Sequence, residues 1–178
     1  MVIQDNDFPI YIAFCDVGRG VFAATDIAEG DVILRFIGPR ISLAEALAKG
    51  SLHCNPLQVE NDQYIDLQEP GVLVNHSCDP NSGIVDDVVL VALRSIHRGE
   101  EVRCDYSTSM ADGTWELVCQ CKAAGCRGVV RDFEFLPPSV RTRYLGLGIV
   151  QSFIARQQRH AEQIAAADQN NMLAFWNL

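Results

Sequence analysis

The chain has 178 residues, of which 48% are hydrophobic and 21% are charged, so it is long enough for one globular domain with a buried core. It contains 14 basic and 23 acidic residues, and 19 of the acids but only 7 of the bases precede residue 117. The net charge of -9 argues against duplex nucleic acid or an anionic membrane as a partner, since both need a basic surface. It favours a basic partner, although an acidic surface that aids solubility explains the charge equally well.

The apolar runs and the cysteines indicate the cellular environment. No apolar run approaches the ~18 residues of a membrane-spanning helix, and no basic start precedes an apolar stretch at the N-terminus. We therefore predict a cytoplasmic, reducing compartment. The seven cysteines are an odd number, and three of them fall within eight residues, which in such a compartment indicates metal binding rather than disulfide bonds.

The first half of the chain reads as short β-strands separated by turns. Strands are predicted at 10–15, 21–24, 31–37, 57–60, 63–67, 88–93 and 101–104. The tripeptide Gly18-Arg19-Gly20 is predicted as a turn between the first two. A helix is predicted at 42–49, because Ser42 and Glu45 can form a capping box at its start.

The pattern becomes helical after Cys126. A proline pair at 137–138 opens one helical stretch, glycines at 146 and 148 end it, and apolar residues then recur at helical spacing. The sequence thus predicts a mainly β body with a helical tail, an α+β fold. The tail ends in an apolar cluster that packs on its own body or, as the alternative, forms a homodimer contact: Met172, Leu173, Phe175 and Trp176.

Cys119, Cys121 and Cys126 form a C-x-C-x4-C motif. Thiolates bind zinc at about 2.3 Å in a tetrahedron, so cysteines this close together on a turn can share one ion. Three ligands are too few for a closed structural zinc site, so a fourth must come from elsewhere in the chain. The alternative to a zinc site is three unligated thiols in a loop. The candidates for a fourth ligand are Cys15, Cys54, Cys78, Cys104, His76 and His97.

Two further polar segments have ordinary structural explanations when each is taken alone. The Asn75-His76 pair follows an apolar stretch and can satisfy buried backbone groups. Tyr106, after Asp105, ends a predicted strand, where its ring can simply cap the core.

The order of these segments, however, resembles that of the SET domain family of protein lysine methyltransferases. The matching motifs are G-R-G-V-F-A from Gly18, N-H-S-C-D-P-N from Asn75, R-G-E-E-V-x-x-D-Y ending at Tyr106 and C-x-C-x4-C-R-G ending at Gly128. The continuation, with S-T-S-M after the tyrosine and later L-P-P and R-Y-L-G-L-G, looks like a group of small SET proteins common in bacteria.

The resemblance implies a SET-type β-clip fold with a pseudoknot, in which the N-H-S-C and D-Y segments lie side by side. It also implies three parts of the chain: a catalytic core at 8–107, a post-SET zinc segment at 108–130 and a helical extension at 131–178. The activity it implies is methyl transfer from S-adenosylmethionine to a lysine of a basic protein, such as a histone tail. Tyr106 is then the catalytic residue.

The resemblance also assigns the binding residues. It places S-adenosylmethionine at Gly18, Arg19, Gly20, Asn75, His76, Tyr106 and Gln120. It makes Cys78 the fourth ligand of one structural zinc ion, beside Cys119, Cys121 and Cys126. Cys104 and Tyr64 are assigned to the substrate pocket, and since relatives have phenylalanine or tyrosine where Cys104 stands, we predict a roomier pocket that permits di- or trimethylation.

Two other functions are compatible with the sequence. One is a catalytically silent SET module that binds a peptide or partner protein. The other is a structural zinc module that acts through the Phe175-Trp176 tail. The alternative to a cytoplasmic location is that the protein is secreted and acts in another cell's nucleus.

Overall fold

The computed structural model describes residues 8–50 and 55–176. The strands are β1 (Ile10–Cys15), β2 (Gly18–Ala23), β3 (Val32–Arg35), β4 (Arg40–Ile41), β5 (Leu57–Glu60), β6 (Gln63–Ile65), β7 (Asn75–His76), β8 (Ser82–Val85), β9 (Val89–Ala92), β10 (Arg103–Cys104), β11 (Leu117–Val118) and β12 (Val129–Val130). The helices are α1 (Leu43–Leu47), α2 (Pro138–Gly146) and α3 (Ser152–Trp176), with 3-10 turns at Gly71–Leu73, Tyr106–Thr108 and Phe133–Phe135. The predicted mainly β, α+β class is confirmed.

The strands form five small sheets in the described part of the chain. Four are antiparallel: β1-β2, β3-β9-β8, β4-β6-β5 and β11-β12. The fifth pairs β7 with β10 in parallel, which places His76 opposite Cys104. The N-H-S-C and D-Y segments therefore lie side by side, as the family resemblance implies.

The prediction of a turn at Gly18-Arg19-Gly20 was wrong. These residues belong to β2, and the turn of the hairpin is formed by Asp16 and Val17. Gly18 has φ +117, a conformation that a side chain would strain, so it closes the hairpin as the first residue of the strand. Its partner in the pairing is Cys15.

Most predicted strands are present with shifts of a few residues, but β8 was missed. It begins with Ser82 and Gly83, which have low strand propensity. A Cβ on Gly83 would lie 2.6 Å from the Ile149 side chain, so the glycine lets the segment before α3 pack directly on the sheet.

The core has two main parts. The larger cluster lies among the sheets of the body, and the second is formed by residues 133–154 against Val85, Leu93 and Ala111. The C-terminal extension is thus packed on the body, with Phe153 and Ile154 of α3 each 1% exposed. The side chains of the apolar cluster at 172–176, like Cys54, lie outside the described residues. In the part that the structure describes, none of the helices has the length and apolarity needed to cross a membrane.

Candidate functional site

Two neighbouring cavities meet at Tyr106 and Leu117, which line both of them. The polar cavity includes Asn75, His76 and Gln120 among its lining residues. The apolar cavity is lined by Phe36, Leu57, Val74, Cys104, Trp115 and others, and none of its described lining residues is charged. A polar compartment and an apolar one therefore share a tyrosine wall.

The polar cavity contains four of the residues that the sequence assigned to a cofactor: Asn75, His76, Tyr106 and Gln120. Gly18, Arg19 and Gly20 do not line it. They lie directly behind it, because the Asn75 side-chain amide donates to the Arg19 carbonyl oxygen at 3.1 Å. The Arg19 guanidinium forms two 2.8 Å hydrogen bonds with Glu69.

Glu101 is a residue of this site that sequence reasoning missed. Its carboxylate accepts from the Asn75 amide at 2.8 Å and from Arg103 Nε at 2.7 Å. Arg103 lines the polar cavity, so Glu101 orients both a cavity amide and a cavity cation. Glu101 is the second glutamate of the R-G-E-E-V motif, but a single sequence does not show which of the two glutamates contacts Asn75.

The two residues assigned to the substrate pocket differ in position. Cys104 lines the apolar cavity, and burial raises the pKa of its thiol to about 12, so it is a neutral, small side chain there. Tyr64 lines neither cavity among those described. Its ring is buried in the body, its hydroxyl donates to Asp112 at 2.8 Å, and burial raises its pKa.

Tyr106 is held from several directions. Its hydroxyl donates to the Val74 carbonyl oxygen at 2.8 Å, and its backbone N–H donates to His76 Nδ1 at 3.3 Å. Its ring centroid lies 5.3 Å from that of His76 and 6.2 Å from that of Trp115. A tyrosine fixed at both ends is suited to positioning reactants rather than to moving between states.

A metal-binding cluster lies beside the polar cavity. The ligand atoms of His76, Cys78, Cys119 and Cys121 all lie within 4.8 Å of one another. The Cys78 and Cys119 sulfurs are 3.7 Å apart, close to the ~3.8 Å edge of a tetrahedron with zinc–sulfur bonds of about 2.3 Å. Cys126 is outside this set, but Gly128 joins it to the cluster, since the Gly128 N–H donates to the Cys126 sulfur at 3.5 Å and the Gly128 carbonyl accepts from the Cys119 N–H at 2.8 Å. The donor set therefore fits one tetrahedral ion.

The groups of the cluster differ in how readily they lose a proton. Burial raises the pKa of Cys78 and of Cys119. Burial also disfavours the Cys121 thiolate, yet the backbone N–H groups of Cys78 and Ala123, together with the thiols of Cys119 and Cys126, outweigh it and lower the pKa of Cys121 to about 6. Burial lowers the pKa of His76 to about 4, so this imidazole is neutral at pH 7.

Beside the cluster, the buried carboxylate of Asp105 is a second feature that sequence reasoning missed. The Arg127 guanidinium donates to both of its oxygens at 2.7 Å, and the Ser107 N–H donates at 3.1 Å. Since Arg127 follows Cys126 and Asp105 precedes Tyr106, this ion pair joins the cysteine segment to the tyrosine.

The comparisons with known proteins agree with this architecture. The sequence pattern of the SET domain matches residues 18–107, half of the chain, and the chain belongs to the SET domain family. It is 29% identical over 186 residues to the histone-lysine N-methyltransferase ash1 of Drosophila melanogaster, a match that covers 92% of this chain and 8% of that protein.

Two other relatives have similar names. The match to the histone-lysine N-methyltransferase trr of Drosophila melanogaster is 31% identical over 66% of this chain and 6% of the relative. The match to the histone-lysine N-methyltransferase TRX1 of rice, Oryza sativa subsp. japonica, is 32% identical over 71% of this chain and 14% of the relative. The chain thus spans a small part of each relative.

Proposed function

We propose that the chain is a protein-lysine N-methyltransferase that moves a methyl group from S-adenosylmethionine to the side-chain amine of a lysine in a basic protein. The observation that supports this most directly is the meeting of the polar and apolar cavities at Tyr106. A charged cofactor suits the polar cavity, and the aliphatic stem of a lysine suits the apolar one. The names of the relatives indicate the same activity.

S-adenosylmethionine supplies an electrophilic methyl group on a sulfonium. Asn75, His76, Gln120 and Tyr106 line the polar cavity; the first three would hold the cofactor, and Tyr106 would stand at its reactive end. The strand with Gly18, Arg19 and Gly20 supports Asn75 from behind. Close backbone approach is possible there because Gly20 has no side chain: a Cβ would lie 2.6 Å from Glu101 Oε1.

The accepting lysine must be neutral to act as a nucleophile, whereas a free lysine has a pKa near ~10.4. Burial of the ammonium in the apolar cavity, next to a cation, lowers the pKa of that lysine. The substrate then loses its proton to solvent before transfer, and the chain need not provide a strong base. The contribution of Tyr106 is alignment of the amine with the methyl group.

The metal is one structural zinc ion held by Cys78, Cys119, Cys121 and Cys126. A neutral imidazole has one donor and one acceptor nitrogen, and His76 Nδ1 already accepts from the Tyr106 N–H. Nε2 therefore has the hydrogen and donates to the Cys78 sulfur, 3.3 Å away. This leaves His76 as a support for a ligand and Cys126 as the fourth ligand.

The test is transfer of labelled methyl groups from S-adenosylmethionine to a panel of basic proteins, followed by mass spectrometry of their lysines. Methyl-lysine in the panel is the expected result. Cofactor binding without transfer would indicate the catalytically silent module. No thermal shift with S-adenosylmethionine would indicate the structural zinc module.

A further inference from the structure

The C-terminal extension contacts the segment that contains Tyr106 at three points. The Tyr144 hydroxyl donates to Asp105 Oδ2 at 3.0 Å. The backbone N–H of Gln151 donates to the Thr108 carbonyl, and that of Phe133 donates to the Met110 carbonyl, each at 3.0 Å. All three bonds reach residues 105–110, and all three donors lie beyond residue 107, where the match to the SET domain ends.

These contacts are part of the interior. Tyr144 is 1% exposed and Asp105 is 2% exposed. The Tyr144 ring packs in the second hydrophobic cluster with Phe133 and Phe153. The donor is thus anchored in a packed core, and its acceptor is the carboxylate one residue before Tyr106.

Asp105 has anchors on two sides. Arg127 approaches from the cysteine segment, and Tyr144 approaches from α2. Arg127 belongs to a loop next to the exposed Cys126, whereas Tyr144 belongs to a helix on the core. Hydrogen bonds to a carboxylate are stronger than neutral ones, so the Tyr144 hydroxyl adds to Arg127 and to the Ser107 N–H in fixing where the carboxylate lies.

We propose that Tyr144 is a positioning residue for methyl transfer. Its hydrogen bond to Asp105 fixes the position of the adjacent Tyr106 between the two cavities. The C-terminal extension is therefore part of the catalytic unit. The inference rests on the proposed function. A displacement of about 1 Å at a reacting centre can cost on the order of 100-fold in rate. Loss of one of several anchors has a smaller effect.

The test variant is Tyr144→Phe, which keeps the buried ring and removes only the hydroxyl. We expect kcat to fall roughly 10-fold while KM for peptide and for cofactor changes less than about twofold, since the variant disturbs alignment and not either binding cavity. Rates are measured well below the melting temperature of the variant, so that unfolding does not contribute. The matched control is Tyr11→Phe on the exposed face of β1, where Tyr11 is 45% exposed.

A second variant examines the same carboxylate. Arg127→Lys keeps the positive charge but loses the bidentate hydrogen bonding to the Asp105 carboxylate. We expect kcat to fall here too, and the double variant to lose less than the product of the two single losses, because both act through Asp105.

Tryptophan fluorescence does not depend on activity, so it tests the positioning role of Tyr144 separately from the proposed function. The chain has two tryptophans, so in a Trp176→Phe background the emission reports Trp115 alone, whose ring lies 6.2 Å from Tyr106. Tyr144→Phe should shift this emission, and Tyr11→Phe should not. An inactive parent protein would refute the methyltransferase proposal, while unchanged emission and unchanged kcat in Tyr144→Phe would refute the positioning role.

Discussion

The hydroxyl of Tyr106 donates a hydrogen bond to the backbone carbonyl of Val74 at 2.8 Å. Val74 directly precedes Asn75 and His76, both of which line the polar cavity, and it lines the apolar cavity itself. The bond therefore fixes the phenol at the boundary between the two compartments, next to the backbone that shapes both.

Loss of this hydroxyl should affect turnover far more than stability. We expect Tyr106→Phe to reduce kcat on the order of 100-fold through lost alignment, and to reduce the free energy of unfolding by only about 1 kcal/mol, the usual net value of one hydrogen bond. Steady-state rates and urea denaturation measure the two effects. Tyr11→Phe is the matched control, and an unchanged rate in Tyr106→Phe would remove the residue from catalysis.

Removal of the proposed zinc ion should weaken both the fold and cofactor binding, because that ion would join the segment at 119–126 to Cys78, next to the cavity residue His76. After chelation we expect a lower melting temperature and weaker binding of S-adenosylmethionine. Calorimetry with and without chelator measures both. Full cofactor affinity in the metal-free protein would contradict the coupling.

The identity of the fourth ligand can be tested separately. In the cobalt-substituted protein, we expect Cys126→Ser to reduce the thiolate-to-metal absorption by about a quarter, since one of four proposed thiolates is lost. His76→Gln should leave that absorption nearly unchanged. Unchanged thiolate-to-metal absorption in Cys126→Ser would show that Cys126 is not a ligand and would favour His76 in its place.

The small buried side chain of Cys104 should permit more than one transfer to the same lysine. We expect di- and trimethyl-lysine among the products of the native chain, resolved by mass spectrometry over time. Cys104→Met, which fills part of the apolar cavity, should shift the products toward monomethyl-lysine. If the native chain makes monomethyl-lysine only, the pocket is not roomier than in relatives with an aromatic residue at this position.

Gly20 should be needed for cofactor binding because of the space that it leaves. A Cβ there would lie 2.6 Å from Glu101 Oε1 and 3.0 Å from Asn75 Nδ2, so Gly20→Ala must displace the amide that faces the polar cavity. We expect weaker binding of S-adenosylmethionine by titration calorimetry. Gly146→Ala is the control, since a Cβ there meets no atom within 4 Å, and equal affinities in both variants would refute the role of Gly20.

Asp132 should make stability depend on pH. It is buried, and its Oδ1 has no hydrogen-bond partner among the described residues. Burial, followed by the charges of Asp112 and Glu134, raises its pKa above the usual 3.8. A raised pKa favours the protonated form in the folded state, so stability from this group is present below pH 3.8 and is lost as the pH rises through the folded value.

Asp132→Asn cannot titrate and isolates this effect. The difference in the free energy of unfolding should move in favour of the variant between about pH 4 and pH 7, measured by urea denaturation at each pH. The exposed Glu29→Gln is the control. A difference that is constant with pH would contradict the assignment.

Local features were predictable from the sequence because their signals lie within a few residues. The capping box of Ser42 and Glu45 is present at the start of α1, and the proline pair and Gly146 bound α2 as predicted. The turn at Gly18 was misplaced by two residues, since a glycine with positive φ can either form a turn or close one. The missed strand β8 pairs with β9, and its Gly83 leaves room for Ile149, a contact between distant parts of the chain that local patterns do not predict.

The same limit applies to the site. The ordered motifs predicted which segments meet, and β7 and β10 do pair. Nothing in one sequence pairs Asp105 with Tyr144, or Glu101 with Asn75, because each pair depends on how packed elements approach each other.

The pairing of β7 with β10 has only two residues on each side. So short a ladder does not persist without the packing around it. We therefore expect the site to open in denaturant as a local event, before the rest of the chain unfolds. Catalytic competence should vanish at a urea concentration at which the circular dichroism of the strands is still native, so a preparation that looks folded is not thereby shown to be competent.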